Sequence, residues 1–217
     1  MRAHKIFIFL LGLLAAITCH AQTDVAASLY GALSTSPQGG NTTQSQSYSA
    51  GGLFEFQHRF SPALNFEATY SFNPAKQDYA FIGAIPAVVV CFPSQNNAPP
   101  VCSSGGIAPV SVSANAHEFT ADWIPSATKG AFRPFAVFGG GVLIDVPSGG
   151  QSNTTTDTKP VFVFGLGMDW AHWKRWGLRF QYRGNLDIAP LLTTQYASTG
   201  SLMLTNEPMV GIYFRLP

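Results

Sequence analysis

A chain this sparing of charge has few side chains with which to do chemistry. Beyond residue 21 it holds three histidines, His58, His117 and His172, and two cysteines, Cys91 and Cys102. Acyl transfer or lipid hydrolysis needs a serine, a histidine and a carboxylate held together. None of the histidines stands beside a serine in a nucleophile arrangement, and no Gly-x-Ser-x-Gly occurs. His58 and His117 fall in the apolar phase of alternating segments, and His172 lies in a short polar link. The cysteines have ten residues between them and no paired histidines nearby, so they do not make a zinc set. They are read as a disulfide closing one loop, with two free thiols as the alternative. The glycine clusters at 139–141 and 165–167 lack the following helix that a nucleotide loop needs. The expectation is no catalysis, no cofactor and no metal.

What the chain does place with regularity is charge within alternating segments. Glu55, Arg59, Glu67, Glu118, Asp122, Asp169, Arg179, Arg183 and Arg215 all take the phase opposite to the bulky apolar residues of their segments. The stretch from Pro160 to Asn185 shows the pattern best. Phe162, Phe164, Leu166, Met168 and Trp170 share one face, with Val161, Val163, Gly165, Gly167 and Asp169 on the other. After the link 171–175, Leu178, Phe180 and Tyr182 alternate with Arg179, Gln181 and Arg183. Period-two alternation on both sides of a short link is a β-hairpin. A soluble sandwich would bury the apolar face and wet the polar one. A transmembrane barrel turns the apolar face to lipid, keeps charge inside and sets aromatics at the interfaces. Trp123, Trp170, Trp173 and Trp176 are the candidate interfacial aromatics.

Composition favours the second arrangement. Of 217 residues only 11% are charged, against roughly 25% in ordinary soluble domains, while 13% are aromatic and 17 are Phe. The net charge of +1 points to no nucleic-acid partner. No apolar run reaches the roughly 20 residues of a membrane helix, so a spanning structure has to be a closed barrel. The start of the chain reads as a targeting signal: Arg2, His4 and Lys5, then the apolar run Ile6 to Ile17, then Cys19-His20-Ala21. Residues 1–21 are therefore expected to be a signal peptide cleaved after Ala21, with 22–217 a single barrel domain. Lipidation at Cys19 and a retained anchor are the alternatives. Export places Cys91 and Cys102 in an oxidising compartment.

Eight strands follow in order, at about 25–33, 48–60, 65–72, 113–123, 132–144, 160–170, 176–185 and 208–216. The connections alternate long and short. Loops at 34–47, 73–112, 145–159 and 186–204 alternate with turns at 61–64, 125–130 and 171–175. This is the rhythm of an all-β, eight-stranded, antiparallel, up-and-down transmembrane β-barrel, with short periplasmic turns and longer external loops. Asn41-Thr42-Thr43 and Asn153-Thr154-Thr155 match a glycosylation triplet, a cheap match in loops of this composition.

The chain resembles the small outer-membrane barrels: the barrel domain of the outer membrane protein A family, the outer membrane protein X family and the opacity proteins. The likeness is carried by Arg133-Pro134-Phe135 running into Gly139-Gly140-Gly141, by Phe164 to Trp170, by Trp176 to Arg183, and by the terminal alternation ending at Phe214. It implies a monomer in outer-membrane lipid, a final strand read by the barrel-assembly machinery, and external loops that contact a surface ligand. Eight strands leave a lumen just wide enough for side chains. The charged set is accordingly expected to form a salt-bridged plug, with a narrow ion or small-solute path as the alternative. Some barrels of this size modify lipid, which the residues above do not support.

Overall fold

The computed structural model describes residues 22–82, 88–92, 101–105, 108–127, 129–150, 152–171 and 173–216. The expected signal peptide and His172 lie outside them. Among the described residues twelve strands form: β1 (Gln22–Ser34), β2 (Gln38–Gly39), β3 (Thr42–Gln46), β4 (Ser49–Ser61), β5 (Leu64–Phe81), β6 (Val88–Phe92), β7 (Val101–Gly105), β8 (Val110–Pro125), β9 (Phe132–Pro147), β10 (Asp157–Trp170), β11 (Trp176–Ile188) and β12 (Leu202–Arg215). The wall runs β5-β4-β1-β12-β11-β10-β9-β8 and closes by pairing β5 with β8, antiparallel throughout. It is an eight-stranded barrel, because β3 continues β4 along the same edge of β5. The β6–β7 hairpin stands apart as its own two-stranded sheet.

Side-chain alternation decides which way each face points. Phe54 is 63% exposed and Leu166 69%, and Phe56, Phe138, Phe180, Val210 and Ile212 are likewise bare on the outer surface. The intervening residues are buried and mostly polar or charged. A water-soluble domain would invert this pattern; a closed wall of this kind spans a membrane, with lipid as its outer solvent. Among the described residues no helix is long and apolar enough to cross one.

Glycines set the wall spacing at two places. A Cβ on Gly139 would come 2.4 Å from the Ala121 carbonyl oxygen, and one on Gly167 would come 2.3 Å from the Phe135 ring. The first lets β9 approach β8, and the second makes room for Phe135 to fill the lumen.

Strands are longer at the loop end than alternation of apolar and polar residues suggests. β5 runs to Phe81 and β8 starts at Val110, although the sequence assigns 73–112 to a loop. There the outward residues turn polar (Lys76, Asp78, Ser111), so the apolar signal stops while the backbone ladder continues to Tyr79↔Val110. Likewise 34–47 is largely strand: β2 and β3 pair through a turn with Gly40 and Asn41 at φ 55° and 60°. Asn153, in the second Asn-Thr-Thr triplet, also has positive φ (65°). Both asparagines thus sit where the left-handed backbone favours that residue.

Candidate functional site

The chemistry of this barrel is concentrated in the lumen. Each inward charge is placed by the strand pleat, which sends alternate residues to opposite faces. On the short-turn side, Arg179 of β11 is 1% exposed and reaches three carboxylates. Its Nη1 donates to Glu55 Oε1 and Glu67 Oε2, both at 2.9 Å, and its Nε to Asp169 Oδ1, also at 2.9 Å. These partners stand on β4, β5 and β10, so one guanidinium bridges across the barrel. The Phe135 ring lies 5.0 Å from its centre in a cation–π contact.

Arg133 donates through Nε to Asp169 Oδ2 at 3.1 Å and through Nη2 to Gln57 Oε1 at 3.1 Å. Asp24 accepts from Arg59 at 2.5 Å and lies 3.5 Å from Arg133 and 3.7 Å from Arg215. Toward the loops, Arg183 donates to Glu118 Oε1 at 3.0 Å and to Thr120 Oγ1 at 2.8 Å, and lies 3.6 Å from Asp122. Asn185 donates to Glu118 Oε2 at 2.8 Å. Beyond it Lys159 sits between Asp187 at 2.7 Å and Asp145 at 3.2 Å.

Of the charged residues singled out in the sequence, Glu55, Glu67 and Asp169 gather on Arg179, Glu118 and Asp122 on Arg183, and Arg59 and Arg215 on Asp24. Sequence reasoning left out Asp24, Arg133, Asp145, Lys159, Asp187 and Glu207. Asp24 and Glu207 stand one residue outside the segments drawn from apolar alternation. Asp145, Lys159 and Asp187 were assigned to loops. Arg133 lies in a strand whose faces the glycine triplet blurs. Extending the inward phase would have found the rest: 159 follows from 161 and 163, 187 from 183 and 185.

Above the Arg183 cluster the lumen holds a small cavity of about 30 Å³. Glu118, Asp145, Asp187 and Glu207 border it, with Asn73 and Thr205 among its neutral lining. Loop residues pack as a cap onto inward strand residues at this end of the lumen. Tyr79, Val112, Ala114, Leu192 and Tyr196 form an apolar cluster of inward and loop residues. Pro190 O accepts from Tyr79 Oη at 2.8 Å and Gln44 Nε2 at 2.9 Å, and the Leu192 amide donates back to Tyr79 Oη at 3.0 Å. Tyr196 Oη donates to Ala108 O at 2.8 Å. Burial raises the Tyr196 phenol above its ordinary value, so it stays a donor.

The tryptophans gather at the short-turn rim. Trp173 and Trp176 stack at 3.7 Å with planes 6° apart, Trp170 lies 6.1 Å from Trp173, and Trp123 meets Phe66 edge-on at 5.6 Å. His117 accepts or donates with Tyr70 Oη at 3.0 Å, and His58 lies 3.4 Å from Thr23 Oγ1. Neither histidine belongs to the lumen network. Cys91 and Cys102 occupy directly opposed positions in the β6–β7 hairpin. Among the described residues no three His, Cys, Asp or Glu converge to hold a metal ion.

No protein-family model matches the chain, and no curated protein is similar to it in sequence. Solved structures do share its architecture. Neisserial surface protein A superposes with a TM-score of 0.58 at 14% identity, over 91% of this chain and 100% of the other. The outer membrane protein OprG from Pseudomonas aeruginosa superposes with a TM-score of 0.54 at 9% identity, over 90% of this chain and 96% of the other. With its apolar exterior, charged interior and closed eight-stranded wall, this chain has the fold of the small bacterial outer-membrane β-barrels.

Proposed function

We propose that the protein is a non-enzymatic, monomeric outer-membrane barrel whose lumen is closed to solutes and whose external loops are its working surface. The observation that carries the closed lumen is Arg179, ion-paired at once to three different strands across the bore. A fork of donors matched to several carboxylates is the geometry guanidinium serves best. The working surface is supported by the β5–β8 ladder. From Asn73 to Tyr79 it rises roughly 20 Å along the strand past the apolar band, at about 3.3 Å per residue. That projection carries the end of the ladder, Tyr79 opposite Val110, away from the lipid. A disulfide between Cys91 and Cys102 would join the two strands of the hairpin one pair from its turn end, where the two positions oppose each other. Cleavage after Ala21 and reading of β12 by the assembly machinery complete this account.

Planar-bilayer conductance tests it. The native barrel is expected to pass no current steps, and Arg179→Ala, which removes the bridge across the bore, to pass small ones. Steady conductance by the native protein would instead establish the second reading, a narrow ion path, which the chamber beside Glu118 and Glu207 favours. Deleting 83–109 should remove attachment to surface ligands while leaving the heat-modifiable mobility of a folded barrel.

A further inference from the structure

The two halves of the lumen are not equally neutral. On the short-turn side Asp24, Glu55, Glu67 and Asp169 face Arg59, Arg133, Arg179 and Arg215. Charge there balances. On the loop side Glu118, Asp145, Asp187 and Glu207 are all buried, and the only cations in that half of the lumen among the described residues are Arg183 and Lys159, while Asp122, opposite Glu67 in the ladder, lies between the halves and 3.6 Å from Arg183. Arg183 is shared by two carboxylates and so is Lys159. Glu207 stands directly across the ladder from Arg183, yet no cation lies within 4 Å of it among the described residues. Glu207 is 4% exposed and borders the chamber. Asn73, also 4% exposed, borders the same chamber with its Oδ1 accepting no hydrogen bond.

Uncompensated carboxylates in a bore cut off from bulk water are costly. Something must neutralise them, and the space, the surplus negative charge and the unused oxygen meet in one place. We propose that the loop-side chamber is a binding site for a small monovalent metal cation, held by Glu207, by the Asn73 amide oxygen and by water. The chemistry selects the class. Calcium takes six to eight oxygens, commonly with several carboxylates, and magnesium demands a near-ideal octahedron that keeps several of its waters, more than a cavity of this size holds. Here no three carboxylates converge on one point among the described residues. A potassium- or sodium-like ion is satisfied by one carboxylate, neutral oxygens and water. The cavity of about 30 Å³ has room for such an ion with a water, since roughly 10–15 Å³ of such space holds one water. The site is independent of the surface role proposed above.

The test uses the whole barrel refolded into detergent at constant ionic strength, with potassium chloride replaced stepwise by tetramethylammonium chloride. An ion bound only by the folded state raises the unfolding midpoint by mass action. The expected rise is roughly 3–5 °C for each tenfold increase in potassium above its dissociation constant. Glu207→Gln should flatten that dependence, and the control Asp78→Asn, at an exposed acid outside the lumen, should retain it. Crystals of protein refolded in thallium(I) acetate should show an anomalous peak in the chamber. Equal midpoints in the two salts, with only water in the chamber, would overturn the proposal and show that protons neutralise the surplus. A potassium effect that Glu207→Gln leaves intact would overturn the assignment to this chamber. If Glu207→Gln does not fold, the wild-type salt comparison and the thallium map still decide.

Discussion

Four carboxylates and four guanidinium groups share the short-turn half of the lumen, while in the other half Glu118, Asp145, Asp187 and Glu207 have one guanidinium and one ammonium among them, and Glu207 pairs with neither. The first half is packed. Arg179, Arg133 and the Phe135 ring fill it, and Gly167 yields the space that the ring occupies. The second half keeps a chamber beneath an apolar cap. The contrast separates two ways of closing a narrow bore. One uses matched charges that exclude water. The other uses surplus charge under a lid, which needs an occupant. The first acts as a stiff plug, and the second can take up ions or protons without remodelling the wall.

The largest expected effect is at the plug. Arg179→Ala leaves Glu55, Glu67 and Asp169 without their shared partner in a dry layer. Breaking a buried ion pair in this way costs about 3–5 kcal/mol. Urea unfolding in lipid vesicles measures it. Arg183→Ala strands Glu118 and Asp122, but these border or adjoin the chamber, where water can enter. The loss there should be smaller, about 1–3 kcal/mol, the range for leaving a buried polar group unsatisfied. Equal losses at the two arginines would erase the distinction between a dry half and a wet half.

Gly167→Ala sharpens the same contrast without touching charge. The added methyl would lie 2.3 Å from the Phe135 ring and force it away from Arg179. Overpacking of this kind costs about 1–3 kcal/mol. The expected readout is a lowered urea midpoint with the loop-side cap intact, seen as unchanged exchange protection of the Leu192 amide, which donates to Tyr79.

How much of this was legible before the structure follows from what lipid demands. Wherever a strand faces hydrocarbon, its outward residues must be apolar, so Phe54–Phe60, Phe162–Trp170 and Leu178–Tyr182 announce strands, and their inward neighbours announce a lumen. The eight strands could be placed from that pattern alone, and with them the inward phase of charges such as Glu55, Asp169 and Arg179. Where a strand leaves the hydrocarbon, nothing constrains its outer face. The pattern then fades at Lys76, Asp78, Ser111 and Ser113, although the ladder persists. Asp145, Lys159, Asp187 and Glu207 were missed for this reason, and with them the acidic surplus of the loop-side half. Arg133 was missed for a different one: Gly139, Gly140 and Gly141 contribute no side chains to either face. The cap formed by Leu192 and Tyr196 had no periodic signal at all, since it is built from loop residues meeting inward strand residues.

The smallest expected effect lies at the rim of the plug. Arg215 is 29% exposed and 3.7 Å from Asp24, which keeps Arg59 at 2.5 Å and Arg133 at 3.5 Å after Arg215 is removed. A partly solvated pair is screened, and its loss leaves no carboxylate alone. Arg215→Ala should therefore cost under about 1 kcal/mol, the range of surface ion pairs. The same urea titration in vesicles checks it, with folding yield recorded separately because β12 closes the wall against β1. A cost near that of Arg179→Ala would mean that the dry layer extends to the end of the barrel and that Arg215 is one of its members. A cost near zero would mark the boundary of that layer between Asp24 and the short-turn rim, and would leave Arg179 as the group on which closure depends.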